Sequence, residues 1–391
     1  MGMKRINVGV IGFGWMGRAH SRSLRRLPTI FPDRSLAPQL VICADADESA
    51  RKAATEGFAF ERVTSDWSEV VTSDDVDVVY IAAPNMLHVE MIEAAAANGK
   101  DVFCEKPVGG TPAQTMAAFE ATNKVGVLSG VGYNYRWAPL VQEVRSMVTS
   151  GVLGDITNYR GRFLSMYGSN PLGLLTWRYL VNEGGYGVTS DLLSHAVDLA
   201  EYLIGPMTSV VAQVATFINQ RPLPSSNAGH YAAGKAGAPT GEVTNEDYVG
   251  LLSTFANGAR GTFESSRAMV GPESQMAFEI HGTRGAVAWN FERMNELRYY
   301  RIEDGRHAGY RTIFAGDRFD YHGNFVPGSA NAIGFEDLVT IEDLEFMDAV
   351  AHRRPFHPDF SDALRYVSVQ AAILRSVTHQ RWEQIGSLEV S

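Results

Sequence analysis

The sequence predicts an α/β protein built in two parts, and three observations support this. A glycine-rich loop follows the first β-branched segment, and strands and helices then alternate over residues 1–132, as in a doubly wound parallel sheet. Over residues 133–391 most strand-like segments follow one another directly. We therefore expect a second domain of the α+β class with a largely antiparallel, open sheet.

The glycine-rich loop lies between a strand, residues 6–11, and a helix, residues 18–27. It consists of Gly12, Phe13, Gly14, Trp15, Met16 and Gly17. The GxGxxG spacing permits a tight turn, close approach of the backbone to a pyrophosphate, and close packing of helix on strand. The loop predicts a dinucleotide-binding Rossmann domain whose cofactor contacts these six residues. A tight turn that binds no nucleotide would show the same pattern.

An acidic residue, Asp45, ends the second predicted strand, residues 40–44. A carboxylate here can bind the adenosine ribose and would repel a 2′-phosphate, so Asp45 favours NAD, while NADP stays open as the cofactor. Asp45 lies 28 residues after Gly17, and the usual spacing is about 20. We expect residues 28–38, which include three prolines, to form an extended loop that explains the excess. Asp45 could instead cap the next helix.

Two more predicted strands, residues 77–83 and 101–104, end in loops that should line the cofactor cleft. Ligands of such sheets bind outside the carboxyl ends of the strands. The residues expected to contact the cofactor there are Pro84, Asn85, His88, Glu105 and Lys106. A lysine at a strand end is ordinarily a solvated charge, but this position makes Lys106 a candidate functional residue. Residues 127–132 should form the last strand of the sheet.

The second part contains six predicted strands and, besides a helix over residues 188–203, three further predicted helices. The strands cover residues 156–164, 210–218, 247–255, 259–265, 274–281 and 285–290, and the helices cover residues 140–150, 341–352 and 361–380. Residues 221–242, rich in Pro, Ser, Ala and Gly, are expected to form a flexible loop. Residues 291–331 have weak periodicity and receive no assignment.

A largely apolar helix is predicted over residues 188–203, and three polar residues interrupt it. Asp191, His195 and Asp198 recur at spacings of four and three, which places them on one face of the helix. An acid beside an imidazole on a rigid element suits alcohol oxidation, where a group must take the hydroxyl proton. Alternatively, Asp191 and His195 only satisfy each other within a core.

Composition excludes several classes of function. The net charge of −10 is accompanied by no block of Lys or Arg, which argues against nucleic acid or a membrane as the partner. No apolar run could span a bilayer and no signal peptide is visible, so we expect a cytoplasmic protein. The two cysteines lie in predicted strands, which disfavours disulfides, and no cluster of metal ligands is visible, so no metal is expected.

Taken together, the motifs resemble the glucose–fructose oxidoreductase/inositol dehydrogenase (Gfo/Idh/MocA) family. The matching segments are residues 12–17, 83–88, 104–107, 133–136, 184–185, the Asp191/His195/Asp198 pattern and residues 358–362, so the resemblance covers nearly the whole chain. The insertion over residues 28–38, together with residues 175–178 and 255–258, looks like the levoglucosan dehydrogenase branch. The family implies NAD- or NADP-dependent oxidation or reduction of a sugar or polyol carbon, and homodimers or homotetramers formed through the open sheet.

The resemblance also implies that Lys106, Asp191 and His195 are catalytic. We expect His195 to take the hydroxyl proton, Asp191 to orient His195 or the substrate, and Lys106 to stabilise the alkoxide. Lys106 could itself be the base. Candidate contacts to a sugar, anhydrosugar, glycoside or polyol are Asn134, Arg136, Trp177 and Arg178, each of which could equally be structural. The alternatives are a non-catalytic NAD-binding regulatory or scaffold protein and an NAD-dependent glycosidase.

Overall fold

The computed structural model describes residues 3–224 and 232–386, and its N-terminal part is a parallel sheet. The strands are β1 (Lys4–Ile11), β2 (Leu36–Ala44), β3 (Arg62–Thr64), β4 (Val78–Ile81), β5 (Asp101–Cys104) and β6 (Ser129–Val131). The helices are α1 (Trp15–Ile30), α2 (Glu48–Phe58), α3 (Ser68–Thr72), α4 (His88–Ala97) and α5 (Pro112–Val125). The strand order β3-β2-β1-β4-β5-β6 confirms the predicted Rossmann sheet.

The connection between α1 and β2 differs from the prediction. The extended loop expected over residues 28–38 is wrong, because α1 continues through Pro28 to Ile30 and β2 begins at Leu36. Only a short 3-10 turn, Pro32–Arg34, separates them. Leu36 is buried and pairs with Lys4 of β1, so burial and strand pairing extend β2 beyond the segment that the sequence indicated.

The second part contains the larger sheet. Its strands, together with a separate two-stranded ribbon (β9 and β10), are β7 (Ile156–Leu164), β8 (Met207–Ala215), β9 (Gln220–Pro222), β10 (Thr240–Glu242), β11 (Tyr248–Phe255), β12 (Arg260–Ser266), β13 (Gln275–Gly282), β14 (Gly285–Asn290), β15 (Glu296–Arg301), β16 (Arg311–Phe314) and β17 (Glu383–Gln384). The nine-stranded sheet has the order β16-β15-β14-β13-β7-β12-β11-β8-β17. All its pairs are antiparallel except β7 with β12, which confirms the predicted α+β architecture.

Helices of the second part cover one face of this sheet and also return to the first sheet. They are α6 (Pro139–Thr149), α7 (Val181–Gly184), α8 (Ser194–Ile204), α9 (His322–Phe325), α10 (Phe335–His352) and α11 (Phe360–His379). α8 packs on the larger sheet, whereas α10 packs on α1 and buries its apolar residues in the core beside β1 and β4. Within residues 3–224 and 232–386, no helix combines the length and hydrophobicity that a membrane span requires.

Two segments without a strand assignment do contain strands. The ends of the expected flexible loop pair as the β9–β10 ribbon, and Arg221 in β9 is fully buried, so that expectation is wrong at both ends. Residues 225–231 of that loop lie outside the described residues. The unassigned segment 291–331 contributes β15 and β16, which form one edge of the large sheet.

Candidate active site

The glycine loop has the geometry of a dinucleotide turn. Gly12 has φ +90°, and a Cβ there would lie 2.5 Å from the Ala82 carbonyl oxygen, while a Cβ on Gly17 would lie 2.0 Å from the Gly12 carbonyl oxygen. Packing therefore requires both of these glycines. A Cβ on Gly14 would meet nothing within 4 Å, and no side chain caps the start of α1 beside it. This side of the loop is open for a phosphate to approach the helix amides.

Asp45 lies at the carboxyl end of β2 beside that loop. Its Oδ2 accepts a hydrogen bond from the Phe13 amide at 2.7 Å, and its Oδ1 accepts one from the Asp47 amide at 2.8 Å. Asp47, not Asp45, caps α2 by accepting from the Ser49 amide. The carboxylate thus joins the end of β2 to the glycine loop, at the place where the ribose of a dinucleotide binds in this fold.

The residues predicted at the ends of β4 and β5 divide between the cleft and the interior. Asn85 donates to the Gly184 carbonyl across the two parts of the chain at 3.3 Å. His88 is fully buried, with its ring nitrogens 2.9 and 2.8 Å from the Pro107 and Ala83 carbonyl oxygens. We expected the His88 side chain to contact the cofactor, and its burial corrects this expectation. The ring instead links the loops after β4 and β5.

Lys106 meets Asp191 from the other part of the chain. Its Nζ donates to Asp191 Oδ1 at 2.6 Å and to the Asp191 carbonyl oxygen at 2.9 Å. Tyr167 donates its hydroxyl to Asp191 Oδ2 at 2.9 Å. The Asp191 side chain is 32% exposed, so this pair faces the cleft and is not sealed in a core.

His195 lies among aromatic rings beside that pair. Its ring centroid is 4.9 Å from that of Tyr135, 5.8 Å from Tyr133 and 6.0 Å from Phe163. Its Nδ1 is buried and has no hydrogen-bond partner among the described residues. A hydrogen bond between Asp191 and His195, one of the alternatives that the sequence left open, is not among the described contacts, and the Asp191 carboxylate instead accepts from Lys106 and Tyr167.

The predicted helix over residues 188–203 begins with a widened turn that contains Asp191. Thr189–Leu193 is π-helical, and only from Ser194 does regular α-helix follow. A π-helical turn has i→i+5 hydrogen bonds, so its side chains do not follow the 3.6-residue periodicity from which the common face was predicted. Such turns occur frequently at functional sites.

Electrostatics hold these groups in definite protonation states. Burial would raise the pKa of Asp191, but the charges of Lys106 and Arg178 and the hydrogen bonds from Lys106 and Tyr167 keep that pKa well below its usual range. Burial, reinforced by the positive charge of Lys106, lowers the pKa of His195 well below 6.5, against the opposing effect of Asp191. At neutral pH the site therefore contains an anionic Asp191 and a neutral His195.

The four candidate sugar contacts are placed differently. Arg178 lies near enough to Asp191 to lower its pKa, and its guanidinium stacks 4.1 Å from the Trp177 ring centroid. Asn134 is buried, and its Nδ2 has no hydrogen-bond partner among the described residues. Trp177 and Arg178 thus stay beside the site, while nothing in the described contacts places Asn134 in the cleft.

Arg136 is a correction to the predicted substrate contacts. Its Nε and Nη2 donate to both Asp198 oxygens at 2.9 and 2.5 Å, and Nη2 also reaches Asp362 Oδ1 at 3.2 Å. All three side chains are at most 5% exposed. Arg136 is therefore engaged in a buried ion-pair cluster that ties α8 to α11, and Asp198 does not join Asp191 and His195.

Comparisons with known proteins match this architecture. Residues 6–133 match a family model described as an oxidoreductase family with an NAD-binding Rossmann fold, and residues 141–288 match the GFO/IDH/MocA C-terminal domain. The chain is 34% identical to levoglucosan dehydrogenase of Pseudarthrobacter phenanthrenivorans over 99% of this chain and 100% of that protein. The chain belongs to the Gfo/Idh/MocA oxidoreductase family.

Other members of the family agree with this assignment. Inositol 2-dehydrogenase of Rhizobium meliloti is 26% identical over 96% of this chain and 98% of its own length. The solved structure of levoglucosan dehydrogenase in complex with NADH superimposes with a TM-score of 0.93 at 33% identity, covering 98% of this chain and all of that one. This Gfo/Idh/MocA protein is an NAD-dependent oxidoreductase, as the sequence predicted, and the open Gly14 and the Asp45 carboxylate fit NAD.

Sequence reasoning missed Tyr167, which hydrogen-bonds Asp191 from the loop after β7. A single tyrosine in a segment without a motif carries no signal in one sequence. Reasoning also missed the partners of Glu105. Its Oε1 lies 3.1 Å from His20 Nε2 and its Oε2 accepts from the Lys106 amide at 3.3 Å, so both oxygens of this predicted cofactor contact are engaged within the protein.

Proposed function

We propose that this oxidoreductase oxidises a secondary alcohol of a cyclic sugar, anhydrosugar, glycoside or polyol with NAD, through Lys106, Asp191 and His195. The observation that carries the proposal is the 2.6 Å contact between Lys106 Nζ and Asp191 Oδ1, made across the two parts of the chain and open to the cleft beside His195. Residues 1–132 would hold the cofactor and residues 133–391 the substrate. Bound NAD supplies the hydride acceptor.

Each side chain has a role that its environment supports. Lys106, held against the Asp191 carboxylate, donates to the substrate oxygen and stabilises the negative charge that develops on it. His195 is neutral because of burial and the Lys106 charge, so it accepts the hydroxyl proton. Asp191 positions the Lys106 ammonium, assisted by Tyr167. The opposite assignment, with Lys106 as the base, makes a different prediction for pH dependence.

The substrate class rests on the family and on the residues beside Asp191. Solved levoglucosan dehydrogenase structures include complexes with NADH and levoglucosan and with NADH and L-sorbose. In this chain the Trp177 ring and the Arg178 guanidinium lie stacked beside the site. Aromatic faces suit the C–H surface of a sugar ring, and a guanidinium suits its hydroxyls, which supports a cyclic substrate.

We further propose a homodimer or homotetramer that forms through the face of the large sheet opposite α8 and works in the cytoplasm. Leu252 on β11 is 50% exposed and pairs with the partly exposed Val211 of β8, and neighbouring apolar side chains on this face support a contact surface. The two cysteines, Cys43 and Cys104, are free thiols, which supports a reducing compartment.

The test is reduction of NAD and NADP over a panel of monosaccharides, anhydrosugars, inositols and glycosides. We expect NADH formation with at least one cyclic polyol, and a loss of kcat of about a hundredfold or more in Lys106→Met with NADH affinity retained. Lys100→Met is the matched control, since Lys100 donates to the Ser73 and Val76 carbonyl groups away from the site. Tight NAD binding without turnover would support the scaffold alternative, and release of a leaving group without net NADH would support a glycosidase.

The pH profile separates the two candidate bases. A lowered His195 pKa means that the imidazole stays neutral at pH 7, so the acid limb of kcat/KM for alcohol oxidation should lie below pH 6.5. Lys106→Met removes a charge that lowers this pKa, so the acid limb of the residual activity should move to higher pH. If Lys106 is the base, the residual activity will show no such displaced limb.

A further inference from the structure

A chain of ionisable side chains runs from α10 through α1 to the backbone of Lys106. His20 Nδ1 lies 2.8 Å from Asp343 Oδ1, and His20 Nε2 lies 3.1 Å from Glu105 Oε1. Glu105 Oε2 in turn accepts the Lys106 amide at 3.3 Å. The imidazole is 1% exposed and the Asp343 side chain is fully buried, so water does not compete for these contacts.

The position of Glu105 is closely restricted. A Cβ on Gly132 would lie 2.9 Å from the Glu105 carboxylate, so the carboxylate packs directly on the backbone that follows β6. The Glu105 side chain is only 12% exposed. Because Lys106 follows immediately, the hydrogen bond to its amide transmits this restriction to the backbone from which the catalytic Nζ extends.

We propose that His20 and Asp343 are positioning residues which, acting through Glu105, hold Lys106 where its Nζ meets Asp191. The role rests on the proposed function of Lys106. An imidazole that contacts two carboxylates can donate to both only when both of its nitrogens carry hydrogen, so the bridge requires the imidazolium form. His20 touches neither cofactor nor substrate in this account.

The surroundings of His20 support the imidazolium. Burial lowers the pKa of His20, but the charges and hydrogen bonds of Asp343 and Glu105 outweigh burial and raise it well above 6.5. The groups that face it are Asp343 and Glu342 from α10, Glu105 from the end of β5, and Tyr80 from β4, whose ring centroid is 5.2 Å away. Burial raises the pKa of Glu342 well above its usual value, which favours the neutral acid, and neither of its oxygens has a partner among the described residues.

Asp343→Asn keeps the shape of the side chain and removes its charge, so the His20 pKa should fall. We expect kcat at pH 8 to fall tenfold or more with the KM for NAD within about twofold, and to recover as acidification restores the imidazolium. This alkaline limb, the fall of kcat towards pH 8, should be absent from the wild-type protein over the same pH range. His20→Gln should be slow at every pH, and adding it to Asp343→Asn should abolish the limb.

Glu342→Gln is the matched control on the same helix, because neither Glu342 oxygen has a hydrogen-bond partner among the described residues and burial favours the neutral form by raising its pKa. Its kcat and pH profile should match those of the wild type. Histidine ¹⁵N resonances give a readout that needs no turnover, with His20 identified by its absence in His20→Gln. The His20 ring should stay an imidazolium at pH 8 in the wild type and titrate in Asp343→Asn.

Several results would overturn the proposal. A neutral His20 ring in the wild type, or wild-type kcat and pH dependence in Asp343→Asn, excludes the positioning role while leaving sugar oxidation standing. If Asp343→Asn does not fold, His20→Gln decides the matter, since wild-type kcat in that variant also excludes the role. Absence of NADH formation by the wild type would instead refute the proposed function, and the ¹⁵N measurement would still report on the bridge.

Discussion

Substitution by alanine at two glycines of the same loop should affect different properties, thermal stability at Gly17 and NADH affinity at Gly14. At Gly17 a methyl group would lie 2.0 Å from the Gly12 carbonyl oxygen, far inside contact distance. That carbonyl cannot move away easily, because Gly12 itself packs against the Ala82 backbone. At Gly14 a methyl group would meet no protein atom within 4 Å, and φ there is −72°, which alanine adopts without strain.

The magnitudes follow from these distances. Overpacking against backbone costs about 1–3 kcal/mol, so Gly17→Ala should lower the melting temperature by roughly 2–12 °C. Gly14→Ala should leave the melting temperature within about 2 °C of the wild type. Its methyl group occupies the approach of the pyrophosphate to the α1 amides, so the NADH dissociation constant should rise at least tenfold, which is about 1.4 kcal/mol.

Thermal melting and titration of NADH fluorescence measure the two effects separately. Gly57→Ala is the matched control, since a methyl group there meets nothing within 4 Å and the residue belongs to α2 and not to the loop. It should change neither NADH affinity nor, beyond a small stabilisation, the melting temperature. Wild-type NADH affinity in Gly14→Ala would refute the assignment of the loop as the pyrophosphate site.

Three further substitutions test other parts of the site. Asp45→Ser removes the acceptor of the Phe13 amide and the charge that repels a 2′-phosphate, so KM should rise for NAD and fall for NADP. An unchanged ratio of the two KM values would mean that Asp45 only supports the loop and does not select the cofactor. Tyr167→Phe removes a hydrogen bond to the Asp191 carboxylate and should lower kcat about tenfold at constant KM for NAD. Unchanged kcat would mean that Lys106 alone is sufficient to hold the Asp191 carboxylate in position. Arg136→Met removes the arginine that pairs with buried Asp198 and one of the two arginines that pair with Asp362, so it should lower the free energy of unfolding in urea by about 3–5 kcal/mol at neutral pH. The loss should be smaller at acid pH, because Asp362, whose pKa is held at about 2 by Arg136 and Arg365 against burial, becomes protonated more readily without Arg136. A stable Arg136→Met with an increased substrate KM would restore its predicted role in sugar binding.

The sequence alone determined the features that depend on neighbouring residues. The doubly wound parallel sheet, the glycine turn, Asp45 at the end of β2 and Lys106 at the end of β5 were all predicted, because each follows from the alternation of strands and helices along the chain or from glycines at short spacing. The convergence of Lys106 with Asp191 was expected from the family, and the structure shows the contact.

Only the tertiary structure decided which partner each charged or polar group takes. Asp191 and His195 are four residues apart, yet Asp191 pairs with Lys106 and Tyr167, which come from other parts of the chain, and its own turn is π-helical, not α-helical as predicted. Arg136, a predicted sugar contact, is instead held by carboxylates from α8 and α11. A buried ion must find a counterion, and the nearest one is set by the packing of segments far apart in the chain, which no local pattern encodes.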